Sequence, residues 1–282
     1  MKVVVAESAG FCWGVKRAVE KARALAAKSG MPVYTDGPLI HNKQMLARLA
    51  EEGIKAADNP ETLSNCVLLI RAHGIPPSRK AALEKLPVRL EDATCPDVAR
   101  IHRIIRERVA AGETVLVFGD AGHPEVIGLV GCAGVEALVI RRPEEVSELP
   151  PPRRRYCLVS QSTQFPRSFD RIAASVLARF PDSAIIDTIC RSTRRRQEEL
   201  FEMAPEVDAF VIVGDPHSAN TLRLVEIARE LKPAFHVRTA DDVAAAEFSG
   251  LRTVGLSAGA STPSFVLEEV RKKLESIPTV DR

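Results

Sequence analysis

Three segments of this chain repeat one order of elements, and that recurrence constrains the fold more than any other feature. Each contains a strand-like run that leads into a cysteine: VVVAESAGFC into Cys12, VRLEDATC into Cys95 and AIIDTIC into Cys190. Each cysteine is followed by a helical pattern, over 14–28, 96–111 and 192–203. Pro96 suits the first turn of the second of these helices, and Asp97 suits its positive amino-terminal end. A short strand comes next, in PVYTDG, TVLVFGD and AFVIVGD, and opens into a polar loop, PLIHN, AGHPEV or PHSAN. After a helix and a weaker strand, a further apolar run closes on small polar residues, in CVLLIRAHG, YCLVSQST and TVGLSAGAS. Proline and another helix end each segment.

The strand runs are continuously apolar, the pattern of parallel strands covered by helices on both faces. Strands and helices alternate, so the fold class expected is α/β. The third segment lacks a terminal strand and cysteine of its own, and the amino-terminal run can supply them, which makes the repeat circular. The expected architecture is three similar α/β domains in a pseudo-threefold trefoil, with the cysteines near a common axis. The boundaries read as an N-terminal strand over 1–12 completing the third domain, domains over 13–95, 96–190 and 191–275, and a tail over 276–282. The loops at the strand carboxyl ends, where α/β sheets bind ligands, would then face that axis.

Three converging thiolates need a positive partner. Soft sulfur selects zinc, copper(I) or an iron–sulfur cluster. A four-iron cluster held by three thiolates keeps one iron without a protein thiolate, and an open metal position marks chemistry. Six cysteines with no CxxC pair are too sparse for a disulfide scaffold. The alternative is that all are small buried hydrophobes, which suits Cys66 and Cys157, in apolar strand runs, and Cys132, which has no counterpart in the other segments.

Compared by position, the loops after the first strand of each segment offer His41 with Asn42, His123 with Glu125, and Ser218 with Asn220. The loops after the later strand offer His73, then Ser162 with Thr163, then Ser261. A donor-rich set with one carboxylate suits a small polyanion such as a diphosphate. No G-x-x-x-x-G-K-[ST] or G-x-G-x-x-G run is present, which argues against a nucleotide cradle. Glu125 is the candidate general acid, with local capping or pairing as the alternative. His102 inside a helix and His236 near a strand end read as structural, and His217 as loop-forming.

The 39 Lys+Arg against 37 Asp+Glu, and only ten Phe, two Tyr and one Trp, argue against a nucleic-acid binder. No apolar run approaches the ~18 residues that a membrane span needs. The amino terminus turns polar at Glu7, too soon for a signal-peptide core, so the expected location is the cytoplasm.

At these residues the chain resembles the 4-hydroxy-3-methylbut-2-enyl diphosphate reductase family, the last enzymes of the methylerythritol phosphate route to isoprenoids. The resemblance is carried by GFCWGVKRAV, GPLIHN, RAHG, DATCP, GHPEVIG, SQST, DTIC with RQ, SAN and SAGAS, in family order over 10–263. It implies a two-electron, two-proton removal of an allylic hydroxyl, giving isopentenyl and dimethylallyl diphosphate, at an iron–sulfur cluster with an open iron. It implies a [4Fe–4S] cluster on Cys12, Cys95 and Cys190, liable to become [3Fe–4S] when the iron lacking a thiolate is lost. His41, His73 and His123 match the histidines around the substrate, and Ser218, Asn220 and Ser261 match the diphosphate binders. Glu125 matches the proton-delivering carboxylate. Ser162 and Thr163 match a Thr-Thr pair, one member of which lies near the substrate hydroxyl.

The chain departs from that pattern in two places. Ala219 stands where the family commonly has a second serine, and Ser162 stands where threonine is more usual. The resemblance also implies ferredoxin or flavodoxin as electron donor, since no flavin or nicotinamide motif is present. Arg153–Arg155 and Arg194–Arg196 are candidate docking runs for such acidic carriers, with plain solvated faces as the alternative. Two other readings are an iron–sulfur hydro-lyase, which consumes no reductant, and a structural zinc site, which is colourless.

Overall fold

The computed structural model describes residues 1–278, so residues 279–282 of the expected tail lie outside the described residues. Its strands are β1 (Lys2–Val5), β2 (Val33–Thr35), β3 (Ile54–Ala56), β4 (Val67–Ile70), β5 (Arg89–Asp92), β6 (Thr114–Phe118), β7 (Ala137–Ile140), β8 (Tyr156–Ser160), β9 (Ala184–Ile185), β10 (Ala209–Val213), β11 (Ala234–Val237) and β12 (Thr253–Ala258). The helices are α1 (Trp13–Lys28), α2 (Lys43–Glu51), α3 (Pro77–Leu83), α4 (Pro96–Ala110), α5 (Pro124–Ala133), α6 (Pro166–Arg179), α7 (Arg191–Met203), α8 (Ala219–Leu231) and α9 (Ser264–Glu275).

The chain divides into two compact units. One comprises Met1–Lys16, Ile40–Leu49 and the described chain from Arg191 on; the other comprises Arg17–Leu39 and Ala50–Cys190. The first unit holds a four-stranded sheet of order β1-β12-β10-β11. The amino-terminal strand completes it, with Lys2 opposite Thr253 and Val5 opposite Leu256. The second unit holds two sheets, β3-β2-β4-β5 and β7-β6-β8-β9. Every strand pair is parallel.

All three sheets share one winding. The second strand lies outside the first, the third on the first's other side, and the fourth beyond the third. That order creates a switch point between first and third strands, where connections leave in opposite directions and ligands bind in open α/β sheets.

Burial explains the continuous apolar runs. The inner strands β4, β8 and β10 are buried at every position, whereas the edge strand β1 is not. Neighbouring residues of β6 feed opposite faces. Leu116 packs with Leu158, Phe169 and Ile172 on one side, while Val115 and Val117 pack with Ile101, Val126 and Leu129 on the other. Each fully buried side chain of this kind contributes about 1.5–3 kcal/mol relative to exposure.

The AIIDTIC run is strand over two residues only. Beyond Ile185, the Thr188 hydroxyl replaces the ladder: its Oγ1 accepts the Ser160 N–H at 2.7 Å and donates to the Ser160 carbonyl at 2.6 Å. A side chain thus satisfies the backbone of β8 where a fourth strand would. Among the described residues, no helix is long and apolar enough to cross a membrane.

Candidate active site

Each repeated cysteine sits after the fourth strand of its sheet and directly before a helix: Cys12 before α1, Cys95 before α4 and Cys190 before α7. The backbone holds all three alike. Cys12 N–H donates to the Ala260 carbonyl at 3.0 Å, Cys95 N–H to Ala72 at 2.9 Å and Cys190 N–H to Ser162 at 3.0 Å. The acceptors belong to one turn built three times after the third strand, closed by Gly74 to Arg71, Gln164 to Gln161 and Thr262 to Gly259. Two things bear on metal chemistry. Val15 N–H points at Cys12 Sγ, 3.4 Å away, a donor that a ligating sulfur can accept. All three thiols are half-buried and none is in a disulfide.

The other three cysteines differ. Burial raises the thiols of Cys66, Cys132 and Cys157, the last to about 11 with help from the Glu113 carboxylate. They stay protonated near neutrality, which suits packing rather than metal binding. Each of Cys12, Cys95 and Cys190 instead offers a half-buried sulfur on a matched backbone hook, the kind of soft donor that an iron–sulfur group takes.

In the second unit the proton-handling candidates form one hydrogen-bonded group. His123 caps α5, its Nδ1 accepting the Glu125 N–H at 3.1 Å, so the neutral ring carries its proton on Nε2. Pro124 at the first helical position needs no N–H partner there. Glu125 is 2% exposed. Its carboxylate accepts the Ser162 N–H at 2.6 Å and the Ser162 hydroxyl at 2.8 Å, which fixes both oxygens. Thr163 is turned elsewhere, its hydroxyl accepting from Gln161 Nε2 at 3.1 Å. The His73 ring meets the His123 ring edge-on, with centroids 5.5 Å apart.

His102, on α4, is wedged behind these groups. A Cβ added at Gly74 would lie 2.9 Å from its ring, and one at Gly128 would lie 3.2 Å away. Gly74 also takes a φ of +71°, so glycine is required there for two reasons. Burial, with Arg106 nearby, pushes the His102 pKa down to about 4 from 6.5. Falling pH therefore protonates His102 in the unfolded chain first. Stability attributable to this residue is complete above pH ~6.5 and is lost as pH falls to about 4, roughly 3 kcal/mol in all. Denaturant titrations of the wild type and His102→Asn across that range should diverge by about this amount, with the variant less pH-dependent.

In the first unit the candidates gather at the amino-terminal end of α8 and beside α2. Ser218 caps α8 by accepting the Thr221 N–H at 3.3 Å, leaving its own proton to donate. Ala219 and Asn220 are the first two helical residues, so their N–H groups are among those that a helix leaves unpaired. Asn220 is buried and its Nδ2 has no partner among the described residues. A donor in that state costs about 1–3 kcal/mol, a cost that an acceptor bound there would relieve. Ser261 is buried too, its hydroxyl donating to the His41 carbonyl at 2.8 Å.

Sequence reasoning missed Thr188, whose hydroxyl sets the backbone two residues before both Ser162 and Cys190. Nor are the arginine runs plain surface. Arg155 pairs with buried Glu113 at 2.6 Å, and Arg196 is 3% exposed.

The comparisons with known proteins decide the lineage. The family model described as LytB protein matches residues 3–275, spanning every candidate from Cys12 to Ser261. The 4-hydroxy-3-methylbut-2-enyl diphosphate reductase of Opitutus terrae is 40% identical over 98% of this chain and 100% of its own. The chain belongs to the LytB reductase family. The enzyme of the same name from Aquifex aeolicus is 38% identical over 98% of this chain and 96% of its own. A solved family member, described as the terminal enzyme of the non-mevalonate pathway, is 37% identical with a TM-score of 0.72, covering 98% of this chain and 100% of that one. The solved reductase from Plasmodium falciparum has a TM-score of 0.93 at 25% identity, covering 98% and 89%. Both solved relatives thus match the fold of this chain over 98% of its residues.

Proposed function

We propose that the chain carries out the reaction for which its LytB relatives are named. (E)-4-Hydroxy-3-methylbut-2-enyl diphosphate loses its allylic hydroxyl with two electrons and two protons, giving isopentenyl and dimethylallyl diphosphate. The family is one of iron–sulfur enzymes. Cys12, Cys95 and Cys190 would hold a [4Fe–4S] cluster, surrounded by domains over 13–95, 96–190 and 191–275. When bound, that cluster supplies single electrons and an iron without a thiolate that can act as a Lewis acid. The observation that carries the reading is the threefold hook, one cysteine per sheet with its N–H on the same loop carbonyl.

Hydroxide leaves poorly, so a proton must reach the departing oxygen. Glu125 supplies it and Ser162 relays it. With Glu125 protonated on Oε2, the 2.8 Å contact reverses and Oε2 donates to Ser162 Oγ, whose own proton can then pass on. Ser162 takes this role over Thr163 because its hydroxyl touches the acid. His41, His73, His123, Ser218, Asn220 and Ser261 hold the diphosphate and fold the substrate into place. The helix-α8 N–H groups and the unpaired Asn220 amide add donors for it. A ferredoxin or flavodoxin delivers the electrons.

Ala219 lacks the hydroxyl common in the family, so at the first helical residue only the backbone N–H remains to donate. Ala219→Ser should regain about 0.5–1.5 kcal/mol of substrate binding, read as a KM several-fold lower. An unchanged KM would show that the backbone N–H already substitutes.

The test of the whole reading is an absorption spectrum of protein purified without oxygen, followed by a reductant titration. Brown protein that oxidises reductant only with the hydroxylated allylic diphosphate supports it. Conversion without reductant would point to hydro-lyase chemistry. Colourless protein that takes up no iron and sulfide overturns the reading.

A further inference from the structure

The three cysteines do not sit on equal loops. Two residues separate β5 from Cys95, four separate β9 from Cys190, and six separate β1 from Cys12. The short loops are tied by their own residues: Thr94 N–H bonds Asp92 at 2.8 Å and Ile189 N–H bonds Asp187 at 3.0 Å. The long loop has one bond of its own, Ala9 N–H to the Ala6 carbonyl at 3.1 Å, and its other ties come from outside. Glu199 accepts the Glu7 N–H at 2.6 Å and the Ser8 N–H at 3.1 Å, and also bonds the Ser8 hydroxyl. Arg196 donates to the Gly10 carbonyl at 2.7 Å and to Ser192. Gly10 takes a φ of +104°, so the chain turns there just before Phe11 and Cys12.

Both clamp residues lie on α7, one turn apart, at 3% and 4% exposure. That helix starts directly after Cys190. We infer that Arg196 and Glu199 are positioning residues for Cys12, fixing by charge-assisted hydrogen bonds the longest of the three loops that lead into the cysteines. They thereby fix the Cys12 loop to α7. The inference rests on the proposed role of these cysteines as cluster ligands, but its geometry stands on the protein alone. It also accounts for a basic run that reads as a docking patch in sequence: its third arginine faces inward onto a carbonyl.

The test uses the full chain in two states. In the metal-free chain, alkylation of each cysteine is followed by mass spectrometry. Glu199→Ala should speed modification of Cys12 by about tenfold or more, since a charge-assisted hydrogen bond to the loop is lost, while Cys95 and Cys190 keep their rates. Glu199→Gln, which keeps one acceptor oxygen, should lie between, and it decides the matter if the alanine variant fails to fold. In the reconstituted enzyme, the same variants should release iron to a chelator faster than wild type.

Glu113→Gln is the control, because it removes a buried, ion-paired carboxylate far from the Cys12 loop in sequence. It should lower the melting temperature without a selective effect on Cys12. Equal acceleration at all three cysteines, or none, would overturn the inference. A wild-type chain that takes up no iron and sulfide would sink the cluster assignment instead, leaving the alkylation result to judge the clamp.

Discussion

Glu125→Gln is expected to lower kcat by about 10²–10⁴-fold, the usual range for removing a positioned general acid. Iron content and KM should stay within a few-fold of wild type. The substitution preserves shape: the glutamine oxygen can still accept the Ser162 N–H that Glu125 Oε1 accepts at 2.6 Å. What disappears is a transferable proton at the other position, where Ser162 Oγ lies 2.8 Å away. A loss confined to kcat marks an interaction made in the transition state and not in substrate binding. Steady-state rates with a chemical reductant, alongside iron analysis, check it. Near-wild-type turnover would remove Glu125 from the mechanism. Ser162→Ala refines the test, because it deletes the relay hydroxyl while the backbone N–H to Glu125 remains. It should be impaired in kcat, whereas Thr163→Val should be less affected, its hydroxyl being engaged with Gln161.

Much of this arrangement was legible in the sequence because the physics that produces it is periodic. Strands buried on both faces must be apolar or have their polar groups bonded; VLLI and AFVIV are apolar throughout, and YCLVS departs only at Ser160, which Thr188 satisfies. The candidate loops were legible because they leave the same two strands of each sheet, so His41, His123 and Ser218 fall in matching places, as do His73, Thr163 and Ser261. Three features left no such trace. Thr188 replaces strand pairing by a side-chain bond, so AIIDTIC looks like a longer strand than it is. Arg196 and Glu199 grip residues nearly two hundred positions away, and nothing local separates a buried clamp from a solvated charge run. His102 is held by two glycines from separate segments, Gly74 and Gly128, a packing relation that no single window contains.

The cysteines divide into two sets, and replacing each in turn should separate them completely. Cys12→Ala, Cys95→Ala and Cys190→Ala are each expected to lose most of the iron and sulfide taken up on anaerobic reconstitution, and activity with it. Each removes one of the three proposed ligands, and metal affinity depends steeply on ligand number. The apo forms should keep near-wild-type melting temperatures, since all three sulfurs are half-buried and their backbone N–H bonds survive the change. Cys66→Ala and Cys157→Ala should behave in the opposite way. Both thiols are buried, so removing the sulfur leaves a small void and costs about 1–3 kcal/mol, with iron uptake unchanged. The reversal matters more than either result alone. A merely damaged fold would lower melting temperature and iron together, whereas a ligand lowers iron alone. Full iron uptake by any one of the first three variants would remove that cysteine from the ligand set.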